Sequence, residues 1–190
     1  MDSLTRKHLE NLQSPDAKSR NESFVYIMEV TEKPVDWAYE VWEDLLSQLK
    51  HRDNHQRAVA AKILANLAKS DPEKRMIRDL NEMIIVTKDE RFATARQSLQ
   101  SLWKVAAAGK ELQNKVIDNL IDRFMNCTTE KKHSLIRYDI IQVLKNLYEH
   151  TLEENVKLQA LQLIGMEEDT KYKKKYLTLW RSLKKPGNGR

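Results

Sequence analysis

His51 and His55 stand four residues apart, the spacing that sets two imidazoles on one helical face and, with a third ligand, could hold zinc. Asp53 between them reads as a helix cap, which leaves His51 ahead of the helix, and no third ligand is evident. No metal site is expected. Lys171-Tyr172-Lys173-Lys174-Lys175-Tyr176 interleaves ammonium groups with phenols, residue types that grip phosphates and stack on bases. Tyr172, Tyr176 and Trp180 share one helical face, however, which favours an aromatic cap at the end of the fold with the lysines in water. Glu153-Glu154 and Glu167-Glu168 pair carboxylates at helix ends, and charge complementing a helix N-terminus accounts for the first pair without acid–base catalysis. Cys127 is the single cysteine and follows an apolar helix as a small buried hydrophobe would. Alone it supports neither an internal disulfide nor a cysteine-built zinc site. With 4 glycines there is little material for a phosphate loop or a serine elbow. No cofactor is expected, and the chain reads as a binding scaffold rather than an enzyme.

The elements that must position these residues are helices. Only 4 Gly and 4 Pro occur in 190 residues, too few for a sheet joined by tight turns. Charged residues make up 32% and hydrophobic ones 41%, a balance suited to helices with one buried stripe and one wet face. Periodicity and punctuation predict ten helices, over 3–12, 15–30, 35–50, 53–69, 72–86, 89–108, 110–126, 129–150, 152–165 and 168–184. Asp16, Asp53 and Asp71-Pro72 mark helix starts, Gly109 is placed for a left-handed cap, and Thr151 with Glu154 fits a capping box. The tryptophans are core by spacing except Trp37, beside Pro34, which is expected at the surface. Residues 1–184 are read as one domain and 185–190, without core-forming residues, as a disordered tail. The N-terminus lacks an apolar secretory stretch, and no apolar run approaches the roughly 20 residues of a membrane span. With a lone cysteine, a cytoplasmic location is expected.

Short connections make neighbouring helices antiparallel. The even-numbered helices recur about every 36–40 residues, the period of two-helix repeats whose apolar faces are covered only by the next repeat. Asp16 with Arg20, Asp53 with Arg57, and Glu153 with Val156 and Lys157 repeat a local pattern of an acid followed four residues later by a cation. Asp89 keeps the acid but lacks the cation at that place. This pattern resembles the HEAT repeat. The resemblance covers most of the chain and implies an all-α fold, an α-α superhelix of about ten helices in about five antiparallel hairpins. It further implies that the acid caps the second helix and that the cation reaches an acid of a neighbouring repeat. Glu153 is in conflict with the count, because it opens the odd-numbered ninth helix. Either that match is accidental or the pairing phase shifts near the seventh helix; the regular five-pair count is preferred.

The net charge is +5, and the even helices carry the positive excess, above all the segment 169–190. In HEAT-like arrays the second helices line the concave face, so the resemblance implies a basic inner surface suited to an acidic peptide or to phosphates. The candidate binding residues are Arg20, Arg57, Arg96, Lys104, Arg137, Lys173, Lys174 and Lys175. A protein or peptide is the expected partner. Nucleic acid is the alternative, since some DNA alkylation-repair glycosylases are built from HEAT-like repeats, although no catalytic residue can be carried over.

Overall fold

The computed structural model describes residues 1–181; the tail expected at 185–190 and the domain end expected at 184 lie outside the described residues. Among the described residues there are ten α-helices and no strand. They are α1 (Ser3–Asn11), α2 (Ala17–Val30), α3 (Ala38–Gln48), α4 (Asn54–Leu67) and α5 (Arg75–Val86). After them come α6 (Phe92–Ala106), α7 (Lys110–Asn126), α8 (His133–Thr151), α9 (Glu154–Met166) and α10 (Thr170–Arg181). Short 3-10 turns follow α4 at Ala68–Ser70 and α7 at Cys127–Thr129.

The fold is a helical repeat solenoid. The even helices stack in one row, α4 on α6, α6 on α8 and α8 on α10, while the odd helices form an outer layer with little contact among themselves. A two-layer stack with one tight and one splayed row curves around the tight row, so the even helices line the inside. α10 packs on α8 in the even row, as the regular five-pair count requires, and Lys157, the cation of the Glu153 match, bonds to Glu154 instead of to a loop carbonyl. Burial follows the same division. In α4 every residue from Ala58 to Leu67 except Lys62 is buried, because odd helices cover one side and even neighbours flank it. In α5 the buried positions are Met76, Asp79, Leu80, Met83 and Val86, a single stripe. One apolar core runs from Leu12 to Trp180. Burying each large aliphatic side chain contributes roughly 1.5–3 kcal/mol before chain entropy is counted.

Several local expectations are corrected. Trp37 is buried, 6% exposed, at the cap position of α3. Gly109 is extended at φ 167° and precedes α7, so it forms no left-handed cap; α6 ends on right-handed backbone at Ala107. Thr151 closes α8 rather than capping α9, and its hydroxyl donates back to the Leu147 carbonyl at 3.0 Å. The left-handed residue there is Leu152, φ 56°, and Glu153 precedes α9 without capping it by its side chain. Asp71 does serve α5, accepting from the Arg75 and Met76 amides at 2.9 and 2.7 Å, although the helix starts three residues later than its proline.

Candidate functional site

The acid-cation pattern acquires a structural meaning. Asp16 and Asp53 cap α2 and α4, accepting from the Ser19 and His55 amides at 2.7 and 2.8 Å. Four residues after each cap, the cation reaches back to carbonyls of the preceding connection. Arg20 donates to Ser14 O and Pro15 O at 2.7 and 2.9 Å, and Arg57 to His51 O and Arg52 O at 2.8 and 3.2 Å. Asp169 caps α10, and Lys173, again four residues on, donates to Gly165 O at 2.8 Å. These cations bond carbonyls of the connection that precedes each helix.

Three arginines also tie one repeat to the next. Arg57 makes a two-pronged pair with Asp89 at 2.5 and 2.9 Å, the inter-repeat reach that the resemblance implied. Arg96 does the same with Asp139 at 2.6 and 2.7 Å, where Gln100 adds a third bond to the fully buried carboxylate. Arg137 donates to Phe124 O at 3.0 Å and to Glu167 at 3.2 Å. Glu167 is itself buried and accepts from the Tyr176 hydroxyl at 3.2 Å. Burial alone would raise the Asp89 carboxyl, but the bonds from Arg57 and the Arg91 amide hold it below the usual carboxylate range.

Lysines occupy the inner face differently. Lys62 lies 4.4 Å from the centre of the Phe24 ring and donates to Gln97 Oε1 at 2.9 Å. Lys69 donates to the Thr31 and Glu32 carbonyls at 3.2 and 2.9 Å, and Lys104 to Asn66 Oδ1 at 2.5 Å. Asn66, buried between α2 and α6, also donates to Thr31 Oγ1 at 2.9 Å and is therefore held in one orientation. All three ammonium groups bond to neutral oxygens. Burial pushes each pKa down; for Lys104 the neighbouring charge of Lys69 pushes further, while Glu32 acts in the opposite sense on both Lys69 and Lys104. Amides and one half-buried indole share this face: Gln97, Gln142, Asn146 and Trp103, whose ring lies 5.7 Å from that of His150 on α8.

Toward the C-terminal end, α6, α8 and α10 border an open cleft of about 690 Å³. Arg96, Lys174 and Lys175 meet there with Lys171, Tyr138 and Tyr172, and Lys175 sits 4.8 Å from the Tyr172 ring centre. Tyr176 and Trp180 are buried, as an aromatic end-cap requires. The eight candidates are thus divided. Arg96, Lys174 and Lys175 share the cleft, Lys104 joins the lysine row, and Arg20, Arg57, Arg137 and Lys173 are bonded within their own connections or to the next repeat. Lys62, Lys69 and Asn66 were missed by sequence reasoning. For the two lysines the signal is their spacing of seven residues, Lys62 on the mostly apolar α4 and Lys69 in the 3-10 turn that continues it.

His51 precedes α4, and its Nδ1 accepts from the Asp53 amide at 3.0 Å. Among the described residues no cluster of three metal-ligating side chains occurs. Cys127 is buried and burial raises its thiol pKa, the opposite of an activated nucleophile. Among the described residues no helix is long and apolar enough to cross a membrane.

No family profile matches the chain. Over 77% of its length it is 25% identical to autophagy-related protein 11 of Candida albicans, and the match spans 15% of that relative. Among solved structures, an engineered protein superposes with a TM-score of 0.56 at 13% identity, covering 92% of this chain and 77% of that one. A designed armadillo repeat protein in complex with the peptide (KR)4 superposes with a TM-score of 0.55 at 12% identity, covering 94% and 80% of the two chains. The two structural likenesses show the helical repeat fold.

Proposed function

We propose that the protein is a non-catalytic scaffold that binds an extended, acidic peptide segment of another protein along the inner face of the even helices. The observation that carries this reading is the row of Lys62, Lys69 and Lys104, partly desolvated cations hydrogen-bonded to neutral oxygens only. Cations held this way gain when an anion arrives, because their desolvation has already been incurred in the free protein. Gln97, Gln142 and Asn146 beside them offer the paired donor and acceptor that an extended backbone needs. The designed armadillo neighbour binds a peptide whose charge is opposite to the one proposed here, which fits a shared groove with residues of altered sign. We assign the repeats to the HEAT type, since each contains two helices and the cation four residues after the cap recurs in α2, α4 and α10.

The test is fluorescence anisotropy with a labelled octapeptide of alternating Asp and Glu, its Asn/Gln counterpart and a DNA duplex, across a salt series. The acidic peptide is expected to bind, the neutral one to bind far more weakly, and the triple variant Lys62→Gln/Lys69→Gln/Lys104→Gln to lose the difference. The cleft containing Lys171, Lys174, Lys175, Tyr138 and Tyr172 favours a second reading, a nucleic-acid strand stacked on its phenols. Duplex or single strand binding more tightly than the peptide, with a log–log salt slope of several phosphates, would replace the first reading by the second.

A further inference from the structure

The outer helices α1 and α3 run parallel, as alternate members of an antiparallel stack do. Each turns one stripe toward the other, Arg6, Leu9 and Glu10 on α1 and Asp44, Leu45 and Gln48 on α3, at helical spacings of three and four. Val59 and Ala60 of α4 form a floor beneath them, and the three helices border a cleft of about 290 Å³. Buried Gln56 holds that floor against the end of α1, donating to the Leu12 carbonyl at 2.9 Å.

Arg6 and the Met1 amine both donate to Glu40 at 3.1 Å, which sets the level of α1 against α3. One turn further along both helices, the same register brings Glu10 to the level of Asp44, an acid against an acid. Among the described residues neither of these carboxylates has an ion-pair or hydrogen-bond partner. Other seams between outer helices are matched. Glu43 of α3 lies 3.9 Å from Arg75 and 3.7 Å from Arg78 of α5, and Glu153, beside α9, pairs with Lys110 of α7. Gln48, one turn beyond Asp44 on the same face of α3, is an independent sign. Its side-chain oxygen is buried and accepts no hydrogen bond, although the residue lines an open cleft. A buried acceptor without a donor is uncommon in a folded protein.

We infer that the cleft between α1 and α3 binds a small primary ammonium compound with a compact apolar body, its cation directed at Glu10, Asp44 and Gln48 Oε1 and its body resting against Leu45 and Val59. An ammonium has three N–H donors and no acceptor, and the cleft offers two carboxylates and one buried amide oxygen. The apolar floor suits an organic cation rather than a hydrated metal ion, which takes oxygen ligands on every side. The volume is close to the lower end for small-ligand sites, the size of an arylalkylamine. The cleft belongs to the outer layer, so it is independent of the peptide face.

2-Phenylethylammonium chloride titrated into the ¹⁵N-labelled protein tests the assignment. 2-Phenylethanol supplies the ring without the charge, and ethylammonium the charge without the ring. Saturable amide shifts at Leu45, Gln48 and Val59 are expected with 2-phenylethylammonium and with neither control. Glu10→Gln and Asp44→Asn, at exposed positions, should each weaken binding by about fivefold. Gln48→Leu, which removes the acceptor and keeps the bulk, should weaken it by a similar factor, and so should trimethylation of the amine, which removes its N–H donors. Lys62→Gln, on the peptide face, should leave it unchanged. Absence of saturation, or full affinity in Asp44→Asn, would overturn the site. Equally tight binding of 2-phenylethanol or ethylammonium would overturn the ligand class, and that of the trimethylated amine the role of Gln48. Nα-acetyl-lysine-N-methylamide binding about tenfold more tightly than 2-phenylethylammonium would replace the free amine by a lysine of a partner protein.

Discussion

The arginines and the lysines of the even helices share a sign and a layer but not a task. Arg57, Arg96 and Arg137 lie toward the N-terminal ends of α4, α6 and α8, where each guanidinium meets a carboxylate of the next repeat. Lys69 lies in the 3-10 turn after α4, Lys104 toward the C-terminal end of α6 and Lys62 within α4; these ammonium groups meet carbonyl and amide oxygens. The planar fork suits two-pronged pairing with a fixed carboxylate; the ammonium point charge suits a site that stays open to an arriving anion. Counting positive charge along a helix therefore combines an internal fastening with an external surface.

The sharpest way to break this comparison is to treat both sets alike. Arg96→Ala leaves the Asp139 carboxylate buried without its counter-ion and should cost about 3 kcal/mol in urea unfolding, the lower end for such a loss because Gln100 remains bonded to it. Arg57→Ala should cost about 2 kcal/mol, and its effect should depend on acid. Because the folded Asp89 carboxyl titrates below its unfolded value, its stabilisation is complete above about pH 4 and is lost as the pH falls through the lower, folded pKa. In Arg57→Ala that acid-dependent component should shrink, which thermal midpoints between pH 2 and 5 would reveal. Lys104→Gln should instead leave stability unchanged or higher while weakening acidic-peptide binding about tenfold, since it removes a cation whose charged form burial disfavours. A stability loss as large as that of Arg57→Ala would place Lys104 among the fastenings and end the distinction. The smallest effect is local: Leu152→Gly at φ 56°, with its side chain 62% exposed, should stabilise by about 0.5–1 kcal/mol by relieving left-handed strain in a non-glycine residue.

The repeat architecture was legible because its cause is local. Apolar stripes at helical spacing, short connections and aspartate caps at Asp16 and Asp53 act within a few residues, and α7 matches its expected span of 110–126. The errors arose where two local rules compete. Thr151 and Glu154 satisfy a capping-box spacing, yet α8 continues through Thr151 because its stripe of Ile140, Val143, Leu144 and Leu147 is locked in the core. Trp37 looked exposed beside Pro34, but the fold buries it among residues distant in sequence. The binding face was only partly legible for the same reason. The acid-cation pattern implied a reach from Arg57 to an acid of the next repeat, the bond it makes with Asp89, whereas nothing in the sequence pairs Lys62 with Gln97 or Lys104 with Asn66.

The arginine–carboxylate pairs have a mechanical consequence. They fasten α4 to the connection before α6, α6 to α8, and α8 to the connection before α10, all toward one edge of the stack. Opening that edge requires largely buried ion pairs to part; at the other edge the inter-repeat pairs, Lys110 with Glu153 and Arg75 and Arg78 with Glu43, are more exposed and weaker. The molecule therefore resembles a leaf spring riveted more firmly along one margin than along the other.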